Sequence, residues 1–172
     1  MYVLAGNIFR ALEEPVTKLL LSVHVLVAIL AVGSITVAAS MFPRQALRAI
    51  GGAQASVAAL LHRVCRGYAV AGIAVPVFGI ATGAQLGVLG DAWLIASLAL
   101  TAAAAALLGL AILPGQRSLL ALAQGGGAQP EGAEVAARPA AARLTMLTGI
   151  FNLLWAVVVV LMIVRPGSTT GA

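Results

Sequence analysis

Four apolar segments, each long enough to cross the hydrocarbon core of a membrane, dominate this sequence. They extend over about 19–42, 68–90, 92–113 and 144–164. A hydrocarbon core of about 30 Å needs roughly 20 residues of helix, and only a helix satisfies its backbone hydrogen bonds within one such segment. The sequence therefore predicts an all-α, polytopic membrane protein, folded as a bundle of four transmembrane helices in a single domain, 1–172.

The composition excludes a soluble globular protein. The chain is 62% hydrophobic and 9% charged, with a mean hydropathy of +1.07, whereas soluble domains average about 45–50% and about 25%. Its apolar residues are mostly aliphatic, which is typical of closely packed helices rather than of β-barrel strands. A single cysteine, Cys65, excludes an intrachain disulfide.

The basic residues indicate which way the helices point. One side of the predicted bundle collects seven arginines in its two connections, namely Arg44, Arg48, Arg63, Arg66, Arg117, Arg138 and Arg143. The other side has only Arg10, Lys18 and Arg165. Because cytoplasmic loops carry the excess of Lys and Arg, we expect the two connections in the cytoplasm and both termini outside. This topology explains the net charge of +5 better than a nucleic-acid partner does.

The two basic connections differ in character. Val57, Leu61 and Val64 recur at helical spacing, which predicts that the second helix begins early as a basic extension. The basic face of this extension either contacts anionic lipid headgroups or simply faces water. The other connection, about 115–143, contains several glycines and prolines without periodicity, and predicts a flexible cytoplasmic loop.

Glycines in the second span predict close helix packing. Gly79, Gly83 and Gly87 recur at every fourth residue, and Gly72 and Pro76 repeat the same spacing. In lipid, helices associate through small residues that let their backbones approach. We interpret these glycines as a packing seam, with space for a ligand as the alternative, and we expect a kink at Pro76.

A few polar residues inside the spans are candidates for a site. His24 is the only titratable residue well inside a span, and Gln85 and Ser97 are predicted at the same level near the outer leaflet. Such residues mark functional sites in membranes, so the three could form a pocket for a ligand, a metal or a proton. Alternatively, His24 donates a hydrogen bond to Gln85 or to a backbone carbonyl and locks the bundle. Asn152 is in the fourth predicted span, near the midplane of the membrane, and is expected to make an interhelical hydrogen bond.

His62 and Cys65 form a weaker candidate. They are three residues apart on the predicted extension and could share one face, but a structural zinc site usually has four ligands. We therefore expect both to be exposed to solvent. His62 belongs to the cytoplasmic side, roughly 27 Å from the level of His24, so the two imidazoles cannot ligate one metal or haem within a single bundle.

Several kinds of chemistry have no residues to carry them. The spans contain no Asp, Glu, Lys or Arg for a proton relay or an ion-coupling site. The sequence also contains no phosphate-binding glycine loop and no Ser, His and Asp set. Ion pumping is excluded on this ground, and enzymatic activity would need a bound cofactor.

Two segments of the chain resemble a known family. The sequence KLLLSVHVLVAILAVG over Lys18–Gly33 and the ending LMIVRP over Leu161–Pro166 resemble an uncharacterised bacterial family of integral membrane proteins with four spans, a domain of unknown function. The first helix of that family is distantly similar to copper-resistance protein D and to the membrane-bound protoporphyrinogen oxidases. In those relatives a histidine at the position of His24 precedes a glycine at about Gly33, and in the oxidases it is implicated in haem binding.

These observations lead to three hypotheses about function. The first is a non-enzymatic structural or interaction protein of the bacterial inner membrane, which associates with lipid, with a second copy or with a membrane partner. The resemblance implies the second, a protein that binds haem b or copper through His24 in redox or metal handling. The third is a small permease, which would need a wide polar cavity and oligomers.

Overall fold

The structure, a computed structural model, describes residues 2–125 and 131–167, with their side chains from residue 14 onward. It contains six α-helices, which are α1 (Tyr2–Ile50), α2 (Ser56–Ala71), α3 (Ala74–Gln85), α4 (Ala92–Leu107), α5 (Leu113–Gln124) and α6 (Ala133–Val164). A π-helical turn, Leu108–Ile112, joins α4 to α5. Every regular element in this part of the chain is a helix, which confirms the predicted all-α fold class.

The six helices form four segments that are long and apolar enough to cross a membrane, as expected of a multi-pass membrane protein. These are Glu14–Ile50, Ser56–Gln85, Ala92–Gln124 and Ala133–Val164. The α1–α2 turn and the start of α6 lie at one end of the bundle, where a carboxylate oxygen of Glu134 approaches Gly51. We call this the basic end, because it carries Arg44, Arg48, Arg63, Arg66, Arg117, Arg138 and Arg143. At the other end Arg165 lies over the ring of Trp93, 5.5 Å from its centroid.

The helices continue well beyond the predicted spans at the basic end. The third segment continues past Pro114 to Gln124, and α6 already begins at Ala133. The prediction of a flexible loop over 115–143 is therefore wrong for 115–124 and 133–143, while 126–130 lie outside the described residues.

The local sequence explains why Pro114 does not end the helix. The π-helical turn before it closes with a hydrogen bond from the Leu113 N–H to the Leu108 carbonyl. Pro114 then occupies the first turn of α5, where the missing N–H costs least. The alanines of 133–143 are strong helix formers, and Ala137 and Ala141 are buried against Leu119 in the core of this end.

The second segment begins early and breaks where the sequence predicts. Helix α2 starts at Ser56. At Gly72 and Ile73 the backbone angles stay helical, but the regular helical hydrogen bonding is interrupted before α3 begins. Pro76 has no N–H to offer the Gly72 carbonyl, which instead accepts a hydrogen bond from the Val75 N–H at 3.1 Å. Helix α3 ends at Gln85 rather than near residue 90.

Four apolar clusters fill the bundle along its length, one of which, Ala38, Ala39 and Cys65, joins α1 to α2. At the basic end the core contains Phe42, Ala46, Ile50, Ala58, Leu119, Ala137, Ala141 and Leu144. Ile35, Ala104, Leu108, Ile112 and Phe151 occupy the middle, and Val88, Trp93 and Leu94 the opposite end. These clusters hold α1, α4 and α6 together and fix the height of each polar side chain within the bundle.

Candidate functional site

His24 is held between α1 and α3 by a single hydrogen bond. Its Nδ1 lies 2.9 Å from the carbonyl oxygen of Val75. A carbonyl can only accept, so Nδ1 carries the proton, and in the neutral imidazole Nε2 then keeps its lone pair. The ring is half-buried and rests on Gly79, where a Cβ would lie 3.0 Å from Cε1 of His24. No described residue provides a hydrogen bond to Nε2.

Gln85 and Ser97 make no hydrogen bond with His24 in the part of the chain that the structure describes. Ser97 is fully buried and donates to the Trp93 carbonyl of its own helix at 2.8 Å. Gln85, the last residue of α3, is exposed. Because a buried serine hydroxyl can satisfy itself on the preceding helical turn, a shared level in the membrane does not bring these groups together. The pocket of His24, Gln85 and Ser97 stays a prediction, without a hydrogen bond between its described members to support it.

The glycines of the second segment do not form one packing seam against a single helix. They pack instead against two different helices. Gly72 faces Ala31 of α1, and a Cβ added to Gly72 would lie 3.9 Å from the Cβ of Ala31. Gly79 faces His24, which also belongs to α1. Gly83 faces Leu94 of α4. Gly87 takes no part in packing, since it lies beyond α3 with a φ of +68° and open space around it. Its role in the predicted seam is wrong because the helix has already ended in a turn that requires positive φ.

Asn152 links α6 to α1 near the middle of the bundle. Its Oδ1 accepts a hydrogen bond from the Thr36 hydroxyl at 3.1 Å. One turn before and one turn after Asn152, α6 carries two buried polar atoms, Thr148 Oγ1 and Trp155 Nε1. Neither has a hydrogen-bond partner within the residues that the structure describes. This interhelical bond is of the kind that the sequence predicts for Asn152.

A buried polar cluster at the basic end was not predicted from the sequence. Nδ1 of His62 lies 3.0 Å from Oε1 of Gln116, and Nε2 of Gln116 donates to the sulfur of Cys65 at 3.5 Å. The exposed fractions of His62, Gln116 and Cys65 are 8%, 1% and 0%. The predicted solvent exposure of His62 and Cys65 is therefore wrong.

The helical continuation at the basic end explains both the burial and the missed residue. Gln116 belongs to α5, in a segment where the sequence predicts a loop, and this helix covers the face of α2 that carries the histidine and the cysteine. Phe42 of α1 closes another side, with its ring centroid 6.4 Å from that of His62. The three-residue spacing of His62 and Cys65 is the only sequence signal for this cluster.

The hydrogen bonds of this cluster form a structural contact between helices. An amide oxygen accepts from the imidazole while the amide nitrogen donates to sulfur, so both ends of Gln116 are used within the protein. Across residues 14–125 and 131–167, no three His, Cys, Asp or Glu side chains come together as a metal site. The cluster joins α2 to α5.

Comparison with known proteins adds no relative, since no protein-family model, curated protein or solved structure matches this chain.

Proposed function

We propose that this chain is a multi-pass protein of the bacterial inner membrane with a structural or interaction role, in which it associates with a second copy or with a partner in the membrane. The observation that carries this proposal is that polar side chains inside the bundle form hydrogen bonds between its helices. His24, Asn152 and Gln116 each make a hydrogen bond to another helix. Such bonds hold a bundle together and present no convergent set of groups to a substrate.

The outer surface supports association within a membrane. Large apolar side chains stay exposed on all four segments, including Ile29 (64%), Val70 (68%), Leu110 (81%) and Ile163 (75%). An apolar surface of this extent is stable only against lipid or against another apolar protein surface. In the proposed orientation the basic end faces the cytoplasm and both termini lie outside.

Photo-crosslinking in living cells tests the interaction role. A photoreactive amino acid would replace Ile29, Leu110 or Ile163, one position at a time on three different segments. We expect a discrete protein adduct, either a second copy or a partner of fixed mass, from one of these faces and lipid adducts from the others. Lipid adducts alone at all three positions would contradict the interaction role.

The geometry of His24 favours a second candidate function, the binding of haem. Metal-bound histidines almost always donate their second ring nitrogen to a carbonyl or carboxylate, which orients the ring and fixes the tautomer. His24 has this arrangement, with Nδ1–H bonded to Val75 and Nε2 without a partner among the described residues.

The residues present fit haem better than copper. The described part of the chain offers no set of three metal-binding side chains, so a copper site built from this chain alone does not fit. A haem held between two copies needs only one imidazole from each. If His24 serves in this way, the chain's own contribution is to hold the imidazole in the Nδ1–H tautomer.

Absorption spectroscopy of the purified protein tests this second candidate. After expression with haem precursors and copper supplied, we expect a Soret band that disappears in His24→Ala and persists in His62→Ala. A spectrum without a Soret band would contradict the candidate, and so would equal loss of the band in both variants.

A further inference from the structure

An open groove lies on α1 at the point where the helix leaves the predicted first span. It has a volume of about 460 Å³ and is lined by Ser40, Met41, Arg44, Gln45 and Arg48. The groove therefore combines one apolar side chain, two side chains that form neutral hydrogen bonds and two cations on consecutive turns of one helix.

The level of this groove in the membrane follows from the sequence of α1. No charged residue occurs between Lys18 and Arg44, so Arg44 is the first cation after the apolar stretch. The groove extends from Ser40 to Arg48, about 12 Å along the axis at 1.5 Å per residue. Headgroup regions add roughly 5–7 Å to each side of the hydrocarbon core. If α1 crosses the membrane as proposed above, the groove occupies the headgroup region and the adjacent edge of the hydrocarbon.

The positive charge in the groove is not compensated by any residue that the structure describes. Arg44 and Arg48 are both exposed, and neither side chain makes an ion pair or hydrogen bond with a described residue. Arg138, at the same end of the bundle, is paired with Glu134 at 3.4 Å. The two groove arginines are four residues apart and therefore lie side by side on the helix surface.

We propose that this groove binds the phosphodiester headgroup of an anionic glycerophospholipid. The guanidinium groups of Arg44 and Arg48 hold the phosphate, because their paired N–H donors match its oxygens. Ser40 and Gln45 offer hydrogen bonds to the rest of the headgroup. Met41 and Val37, which are 46% and 60% exposed, line the path of an acyl chain along α1 toward the centre of the membrane.

Charge favours a lipid over a second copy of the chain as the occupant. A protein partner for two arginines needs a carboxylate surface, and the described acidic residues at this end are Glu131 and Glu134. Glu134 already pairs with Arg138, whereas the exposed arginines of this end would face those of the other copy and repel them. An anionic lipid supplies the missing charge at the right depth.

Native mass spectrometry of the purified full-length chain tests the proposal. The protein in detergent would be titrated with phosphatidylglycerol, with phosphatidylcholine of the same acyl chains, and with inorganic phosphate. We expect tight binding of phosphatidylglycerol only. Each groove arginine is expected to contribute about fivefold, so binding by the double variant Arg44→Gln/Arg48→Gln should be about 25-fold weaker.

The matched control is Arg117→Gln/Arg143→Gln, which removes the same charge from exposed positions at the basic end outside the groove. This control should bind within about twofold of the parent chain. Equal losses in the two double variants would overturn the proposal, because they would indicate only a general attraction between the basic end and anions.

Two other outcomes would also overturn the lipid site. Equal binding of phosphatidylcholine would show that charge is not recognised, and full competition by inorganic phosphate would identify a free anion as the ligand. The proposal rests on the proposed membrane role, and the two can fail separately. A chain that stays in solution without detergent contradicts both, whereas a chain that needs detergent but lacks lipid preference contradicts only the groove.

Discussion

At the scale of single residues, polar side chains in this bundle differ in whether they bond another helix or their own. The hydroxyl of Thr36 donates to Asn152 on α6, whereas the hydroxyl of Thr145 donates to the Ala141 carbonyl of its own helix. Only the first kind of bond contributes to the association of helices. The two threonines therefore form a matched pair for measuring what the interhelical bond contributes.

Thr36→Val is expected to lower the free energy of unfolding by about 0.6 to 2 kcal/mol, because it leaves Asn152 Oδ1 without its donor. Thr145→Val should change it by less than about 0.5 kcal/mol. Reversible denaturation in detergent micelles measures both values. Equal costs for the two substitutions would contradict an interhelical role for the Thr36 hydroxyl.

The buried contact between His62 and Gln116 leads to a second prediction at this scale. Gln116→Leu removes the acceptor of a buried imidazole N–H, which should cost about 1–3 kcal/mol of stability. Replacing both partners, as in His62→Phe/Gln116→Leu, removes the unsatisfied donor and should recover part of that loss. Thermal unfolding in detergent distinguishes the cases, and a double variant whose loss equals the sum of the two single losses would count against the contact.

Residue chemistry alone predicts some of these contacts and not others. An asparagine in the middle of an apolar helix needs a partner, so the interhelical bond of Asn152 could be expected. The partner of His62 could not, since Gln116 lies beyond Pro114 in a segment with several helix breakers. Ser97 bonds to the carbonyl of the preceding turn of its own helix, so its place in an apolar span does not by itself indicate a partner on another helix.

At the scale of helices, the close contact between α1 and α3 depends on Gly79. A Cβ at this position would approach His24 to 3.0 Å, and the ring cannot easily move away because its Nδ1 is bonded to Val75. Gly33, on the other hand, is exposed with open space where its Cβ would be. The two glycines lie in helices but differ in whether anything packs against them.

Gly79→Ala is therefore expected to destabilise the protein by about 1–3 kcal/mol through overpacking. Gly33→Ala should be neutral or stabilising by up to about 1 kcal/mol, since alanine is the better helix former. Thermal unfolding of the two variants in the same detergent measures this difference in sign. A stabilising effect of Gly79→Ala would show that α1 and α3 are not in close contact there.

Helix boundaries are the part of the fold that the sequence predicts least well. The apolar spans themselves are set by length and hydropathy, and each of them lies within a helical segment apart from the last residues of the second. Beyond the spans, the outcome depends on whether neighbouring segments bury one face of the extra turns. At the basic end Phe42, Leu119 and Ala137 provide such a core, and four segments remain helical around it.

At the scale of the whole molecule, charge is distributed unequally between the two ends of the bundle. The basic end collects exposed arginines from α1, α2, α5 and α6, namely Arg44, Arg48, Arg63, Arg66, Arg117, Arg138 and Arg143. The opposite end contains the short α3–α4 turn, whose only charged residue is Asp91. This asymmetry is what orients a protein in a membrane, and the proposed orientation, with the basic end in the cytoplasm, depends on it.

Cysteine labelling in intact cells tests that orientation most directly. Ala53→Cys in the α1–α2 turn and Gly90→Cys in the α3–α4 turn are both exposed positions, while the native Cys65 is fully buried and serves as the unlabelled control. With a membrane-impermeant thiol reagent, we expect Gly90→Cys to react from outside and Ala53→Cys to react only after the membrane is permeabilised. Reaction of both cysteines from the same side, or of Ala53→Cys alone in intact cells, would contradict a four-span bundle with its basic end in the cytoplasm.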